Sequence, residues 1–297
     1  MSDVHSDLPT LDQVLSRKTL PPVCLYNFYI VMRDRLKMEE VLDFYLDLQH
    51  HELLWKKYVK AMHRTGHLSE TDLSEGFQSP RLLSRLSQHP PTLDEKIPSR
   101  KDLSDSAQRL ILRYLVPSAT KEVTQLPIEL RKMLCKELEK EENARDDPLL
   151  FAEAKNYVFE YMQRFAYPKF LRLKVWGNVT LYQQMGRLVL GLVSLFAALT
   201  TSLSFIFLGY PQWGTRFWIL LPFWIGIYNL LTFFTGLDPL WVLLFNKSET
   251  TTFKFNSIKQ PQVKRILISR SIWLLTIGII ISIICTIIFC AIPPHRL

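Results

Sequence analysis

The chain has 297 residues, of which 48% are hydrophobic and 22% are charged, and its formal net charge is +8. Only ten charged side chains follow Leu188, and an uncharged apolar run of about 20 residues can cross a bilayer, so a purely soluble protein is excluded. The first 187 residues hold 28 Lys and Arg against 26 Asp and Glu. This nearly neutral balance argues against a nucleic-acid-binding domain, which needs a basic surface.

The start of the chain and its cysteines indicate the compartment. Residues 1–19 form an N-terminal segment without a basic stretch followed by an apolar run, so we expect no secretory signal and a cytosolic N-terminal domain. The four cysteines form no C-x-x-C pair, which predicts no disulfide framework. His63 and His67 could share a helix face, but no third ligand follows. The sequence therefore predicts no metal ion and no cofactor.

Apolar residues recur every three or four positions through the first half of the chain, which is typical of amphipathic helices. Ser99 followed by Asp102 favours a helix cap before residues 103–115. Residues 65–99 are rich in Ser and Pro, and we expect them to form a long exposed insertion.

Prolines mark the later helices of this half. Pro127 is suited to the first helical position before residues 128–140, and Asp147-Pro148 favours the start of another helix. Pro168 is expected to end that last helix. The sequence thus predicts an all-α cytoplasmic domain.

Three stretches without charge, residues 188–208, 217–237 and 271–292, are each long enough for one transmembrane helix. Pro222 and Asn229 interrupt the second stretch, where neighbouring helices can satisfy the backbone. No ionisable side chain lies inside the three stretches, which argues against a transport pathway.

Basic residues flank the spans unevenly. Residues 246–270 form a loop with a net charge of +5, whereas the connection 209–216 has one Arg. The positive-inside rule predicts that the N-terminal domain and this basic loop are cytoplasmic and that the C-terminus is outside. The N-glycosylation sequons at Asn178 and Asn246 are then cytosolic and expected to be unused.

The basic residues next to the spans are candidates for contact with anionic lipid. Residues 169–176 interleave basic and apolar side chains and are suited to the membrane interface, and residues 176–187 form a juxtamembrane segment. The candidates for contact with lipid head groups are Lys169, Arg172, Lys174, Lys264, Arg265 and Arg270. The alternative interpretation is that these charges only set the topology.

Two segments resemble the regulator of G-protein signalling (RGS) domain. Residues 38–48 (MEEVLDFYLDL) resemble its Ser-x-Glu-Asn-Leu-x-Phe-Trp signature, and residues 151–155 (FAEAK) followed by 167–171 (YPKFL) resemble its last helix and closing motif. The resemblance covers about residues 20–175. It implies an RGS-like helical bundle that binds Gα subunits and accelerates GTP hydrolysis by positioning the switch regions, without inserting a catalytic group.

The RGS resemblance also implies a Gα-facing surface that contains Glu40, Val41, Thr124 and Lys169. The family has asparagines at the positions of Val41 and Thr124, and an arginine at Lys169. Valine cannot form side-chain hydrogen bonds, and lysine lacks the planar fork of arginine. These replacements argue against GTPase acceleration.

An RGS-like domain followed by three spans further resembles the fungal revert-to-axial family of bud-site-selection proteins. This resemblance implies a cortical membrane protein that acts with a large single-span glycoprotein to keep a landmark at the cell pole. We therefore expect a non-enzymatic membrane scaffold at the plasma membrane, with endomembranes as the alternative location. A membrane-tethered GTPase activator of a Gα subunit is the alternative function, and the uncharged spans disfavour a transporter.

Overall fold

The computed structural model describes residues 8–65, 98–138, 147–210 and 212–293. The chain divides into two compact units, and we name Met32–Ala166 the central unit and Met1–Val31 with Tyr167–Leu297 the terminal unit. The insertion expected at residues 65–99 lies outside the described residues except at its two ends.

Helices dominate the described residues of both units. In chain order they are α1 (Leu11–Leu15), α2 (Leu25–Val31), α3 (Glu39–Thr65), α4 (Arg100–Tyr114), α5 (Ile128–Leu138), α6 (Ala152–Tyr161), α7 (Tyr167–Lys174), α8 (Leu181–Phe207), α9 (Trp213–Arg216), α10 (Leu220–Thr235), α11 (Pro239–Leu243) and α12 (Pro261–Ala291). Two strands, β1 (Lys247–Thr251) and β2 (Lys254–Ser257), precede α12. Four short turns complete the set: π turns at Met32–Leu36 and Met162–Ala166, and 3₁₀ turns at Pro148–Phe151 and Phe217–Ile219.

The predicted cap of α4 is confirmed. The Ser99 hydroxyl accepts a hydrogen bond from the Asp102 backbone N–H at 3.3 Å, and the Asp102 carboxylate accepts one from the Ser99 backbone N–H at 2.8 Å. This reciprocal capping box satisfies two backbone donors that a helix start leaves unpaired. The helix therefore begins at Arg100, three residues before the predicted range 103–115.

The prolines that the sequence marks as helix boundaries act largely as expected. α5 begins directly after Pro127, and Pro148 opens the 3₁₀ turn that leads into α6. The prediction that Pro168 ends a helix was wrong, because Pro168 is the second residue of α7. The π turn Met162–Ala166 runs directly into α7, so the helical run continues past Pro168 and ends at Lys174.

The core of the central unit lies where α3 packs against α4 and α6. Phe44 and Tyr114 bring their rings to 5.3 Å between centroids at the α3–α4 contact, and the His51 ring lies edge-on to Phe151 at 5.8 Å. All four side chains are buried. Burial of these large side chains contributes to the stability of the helical core.

The terminal unit contains three helices long and apolar enough to cross a membrane: Leu181–Phe207, Trp213–Thr235 and Pro261–Ala291. They agree with the three predicted spans but are longer at their basic ends. Residues 261–270, which the sequence assigned to the basic loop, form the first turns of α12. A helix can continue into the interface with charged side chains because their long stems keep the charged groups in water.

Close backbone contact joins the first two of these helices. A methyl group at Gly226 of α10 would lie 2.7 Å from the Leu195 side chain and 3.1 Å from the Leu195 backbone nitrogen of α8, so any larger residue would have to displace Leu195. Phe223 of α10 stacks on Phe289 of α12, with 5.5 Å between ring centroids. The three helices thus share one packed interior, with isoleucines of α12 exposed on its outer side.

The sequence missed the strands β1 and β2, which pair antiparallel with Lys247 opposite Ser257. Their sequences, KSETT and KFNS, lack the alternation of apolar and polar residues that marks a half-buried strand. Trp241 of α11 stacks on Phe255 of β2 at 4.4 Å between ring centroids, which holds the strand pair against the short helix. The all-α class stands, with this strand pair added.

Candidate functional site

The loop between α4 and α5, residues 115–127, is fixed on the side of α3. Lys121 forms an ion pair with Asp43, and the Gln125 side-chain amide donates to the Glu40 carboxylate at 3.3 Å. Glu40 and Asp43 are three residues apart on α3 and so lie on the same face of the helix. Two acidic side chains of one helix therefore hold both ends of a short loop segment.

Thr124 is the exposed residue of this segment. Val123 beside it is fully buried, and its backbone N–H donates to the Tyr114 carbonyl oxygen at 2.9 Å. Thr124 is exposed between the two anchoring side chains Lys121 and Gln125. The hydroxyl of Thr124 is thus presented to solvent by a loop whose backbone position is set on both sides.

Glu122 stabilises the loop from within. Its carboxylate accepts hydrogen bonds from the Arg131 guanidinium and from the Ser118 backbone N–H, the latter at 3.0 Å. The hydrogen bond from Arg131, followed by that from Ser118, lowers the pKa of Glu122 below its ordinary value. Glu122 is therefore ionised at neutral pH and ties the loop to α5.

Tyr114 connects the end of α4 to α3. Its hydroxyl donates to the Asp47 carboxylate at 2.5 Å. Burial raises the pKa of Tyr114, and the hydrogen bond to Asp47 and the charge of Asp47 raise it further. Tyr114 is therefore a neutral hydrogen-bond donor that orders the helix pair, and it is unsuited to act as a base.

The four residues of the predicted Gα-facing surface differ in exposure. Glu40 is half-buried and bonded to Gln125, which places it next to exposed Thr124. Val41 has no exposed surface, so its assignment to this surface is corrected: a fully buried side chain cannot contact a partner. Lys169 is exposed on α7, in the terminal unit.

The chemistry available on the Glu40–Thr124 surface is limited to hydrogen bonding and charge. Among the described residues, no group of three or more His, Cys, Asp or Glu side chains is arranged to hold a metal ion. The sequence analysis missed Asp43, Lys121 and Gln125, which position the loop. The recurrence of acids on α3 was the one available signal, but no sequence signal identifies their distant partners.

A buried polar cluster lies at one end of the apolar helices. Asp238 has no exposed surface, and its carboxylate pairs with Arg187 of α8 and accepts from the Tyr228 hydroxyl of α10. Arg187 also donates to the Asn229 amide oxygen at 3.1 Å. The Asp238 carboxylate further accepts from the Leu240 backbone N–H at 3.1 Å and so caps α11.

Asn178 joins the segment before α8 to this cluster. Its side-chain amide donates to the Asp238 carbonyl oxygen at 3.1 Å and accepts from the Asp238 backbone N–H at 2.7 Å. Glu249 of β1 continues the connection, because its carboxylate accepts from the Thr180 backbone N–H at 2.6 Å and from the Phe253 backbone N–H at 2.7 Å. The strand pair is thereby tied to the start of α8.

The six candidates for lipid contact differ in exposure. Lys169, Arg172, Lys264 and Arg265 are exposed. Arg270 is half-buried and donates to the Trp176 carbonyl oxygen at 2.9 Å.

Lys174 is buried and donates to the Glu249 carbonyl oxygen at 2.7 Å. The assignment of Lys174 to lipid contact is therefore corrected: its ammonium group forms a structural bond inside the unit.

Comparison with known proteins gives two matches. Residues 31–178 match the family model described as Regulator of G protein signaling domain. The chain is 29% identical over 345 aligned residues to Protein rax1 of Schizosaccharomyces pombe, and the alignment covers 97% of this chain and 99% of that protein. No solved structure matches the chain.

Proposed function

We propose that this chain, which carries a regulator of G protein signaling domain at residues 31–178 and three apolar helices after it, is a membrane-anchored scaffold in cell polarity or bud-site selection. Similarity to Protein rax1 along nearly the whole chain supports this role. The proposed location is the plasma membrane at the growth pole or cell cortex, with a cytoplasmic N-terminus. The proposed partners are membrane lipids and a single-span membrane glycoprotein.

The burial of Val41 carries the proposal that the domain is a scaffold without GTPase-activating function. RGS domains act by holding the Gα switch regions through hydrogen bonds from their surface. Where the family has an asparagine, this chain has an apolar side chain with no exposed surface. Thr124 offers one hydroxyl in place of a carboxamide, so position 41 offers a partner no hydrogen bond and position 124 offers fewer than an asparagine would.

The proposed lipid contacts are Lys169, Arg172, Lys264 and Arg265, which are exposed. Arg270 contributes through the part of its side chain that remains accessible. Each cation near an anionic leaflet supplies about 1 kcal/mol of attraction. The basic ends of α7 and α12 then fix the chain at the cytoplasmic side of the bilayer.

A Gα GTPase activator is the second candidate, because Thr124 is exposed on a loop that Lys121 and Gln125 hold in place. Single-turnover GTP hydrolysis by Gα subunits of the same cell separates the two candidates. The assay requires the full chain in lipid nanodiscs, since contacts of Lys174 and Asn178 tie the end of the RGS domain to residues beyond 187.

We expect the hydrolysis rate to be unchanged by the chain, with a catalytically competent RGS domain as the positive control. A tenfold increase, which is about 1.4 kcal/mol off the barrier, would establish the activator and contradict the scaffold. Thr124→Asn is the informative variant, because it adds a carboxamide on exposed surface. Val41→Asn would instead bury an unpaired amide and unfold the site.

A further inference from the structure

The N-terminal arm, residues 8–22, is bonded to the root of α12, residues 258–265. The Leu20 backbone N–H donates to the Gln260 side-chain oxygen at 3.3 Å. The Pro21 carbonyl oxygen accepts from the backbone N–H groups of Lys259 at 2.9 Å and Gln260 at 3.0 Å. The arm and the root belong to the same compact unit, although more than 200 residues separate them in sequence.

Of the five exposed cations in the arm and the root, Arg17, Lys18, Lys259 and Lys264 lie within four residues of a bonded residue, and Arg265 lies five residues from Gln260. Lys18 lies two residues before Leu20, so their Cα atoms are at most about 7 Å apart. The Lys264 backbone N–H donates to the Gln260 carbonyl oxygen at 3.0 Å, which places Lys264 one helical turn beyond the contact.

The four cations lack compensating charge in the described part of the chain. None of the four side chains forms an ion pair with a described carboxylate. Asp12 is the one acidic residue of the arm, and the root has none. Like charges brought together in this way repel one another, so the docked arm is electrostatically unfavourable without an external anion.

The position of α12 indicates what supplies the anion. The uncharged stretch begins at Ser271, seven residues after Lys264, and a helix rises about 1.5 Å per residue. Lys264 therefore lies about 10 Å outside the hydrocarbon core, at the depth of the lipid head groups. Exposed charges interact strongly with a charged surface within a Debye length of about 8 Å.

We propose that the arm and the root of α12 form one composite surface for anionic lipid head groups, and that anionic lipid stabilises the docked arm. This inference rests on the proposed membrane insertion of α12. The four side chains are exposed at the surface. The net charge of the lipid, and not the shape of its head group, therefore determines the effect.

Amide hydrogen exchange of the full chain in nanodiscs tests the proposal, because the Leu20, Lys259 and Gln260 amides are protected by the docking bonds. We expect these amides to exchange about tenfold more slowly when about a third of the phosphatidylcholine is replaced by phosphatidylserine. The expectation follows from a contribution of about fivefold by each of the two arm cations, reduced by salt screening.

The double substitution Arg17→Gln with Lys18→Gln is expected to abolish the lipid dependence. In pure phosphatidylcholine the same variant should exchange more slowly than the wild type, since the repulsion is relieved. If these side chains had a purely structural role, the variant would exchange faster than the wild type in pure phosphatidylcholine. The matched control is Lys101→Gln with Lys136→Gln, two exposed lysines of the central unit, which should keep the lipid dependence of the wild type.

Equal exchange in the two lipids would overturn the inference. A much larger effect of a phosphoinositide than of phosphatidylserine at equal total charge would also overturn it, because that result requires a head-group-specific site. Failure of the chain to incorporate into nanodiscs would instead refute the membrane anchoring on which the inference rests.

Discussion

Replacing Asp238 by asparagine tests whether the buried polar cluster holds the apolar helices together. The new carboxamide would fit the same space, but it would leave the Arg187 guanidinium without its charged partner and would weaken the hydrogen bond from Tyr228. Removing one partner of a buried ion pair typically costs about 3–5 kcal/mol, because the remaining charge is uncompensated.

The structure favours the lower end of this range. Asp238 is completely buried, but 20% of the Arg187 side chain is exposed, and Arg187 keeps its hydrogen bond to Asn229. We therefore expect Asp238→Asn to lower the free energy of unfolding by about 3 kcal/mol. Adding Arg187→Gln to Asp238→Asn should restore part of this loss, since no unpaired charge remains.

Unfolding of the full chain in mixed micelles by increasing sodium dodecyl sulfate, followed by circular dichroism, measures these differences. Glu160→Gln is the matched control, because the Glu160–Arg164 pair is exposed and should contribute almost nothing. A loss below about 1 kcal/mol for Asp238→Asn would refute the reasoning, since it would show that water compensates the charge of Arg187.

Three further predictions concern topology, the anchored loop and the close contact between Gly177 and Gly236. A glycosylation reporter fused after Leu297 should be modified and one at residue 1 should not, and the opposite pattern would reverse the orientation. Arg131→Gln should raise the pKa of Glu122 toward its ordinary value of 4.5 in a carbon-detected NMR titration. The pKa of Glu122 is lowered in the folded state, so the Glu122–Arg131 pair stabilises the fold at pH values above 4.5. This stabilisation is lost as the pH falls through the pKa of Glu122 in the folded protein. Gly177→Ala should destabilise the chain by about 1–3 kcal/mol in the same micelle assay, because its methyl group would lie 2.7 Å from the Gly236 carbonyl oxygen, whereas Gly214→Ala, with open space around it, should be neutral.

Local signals predicted much of the helical framework. The cap at Ser99 and the start after Pro127 are confirmed, because each depends on hydrogen bonds or backbone angles within one turn. Pro168 shows the limit of such reasoning, since the same residue can end one helix or begin the next.

The candidate site was only partly predictable. Motif matching identified Glu40 and Thr124, and the structure places them next to each other through Gln125. The same matching assigned Val41 to the surface, although it is fully buried. Exposure depends on what packs against a residue, and a motif does not contain that information.

The sequence by itself determined the three apolar spans and the RGS resemblance, because the length of an uncharged stretch and the order of motifs depend only on the order of residues along the chain. Only the tertiary structure decided which charged side chains stay exposed and which bond to partners inside the unit. Lys174 and Arg187 resemble Lys169 and Arg172 in sequence, yet they bond to Glu249 and Asp238 inside the unit. Those partners lie 75 and 51 residues away. A charged side chain forms a buried structural bond only when folding brings a distant partner next to it. A local sequence pattern contains no information about such a partner.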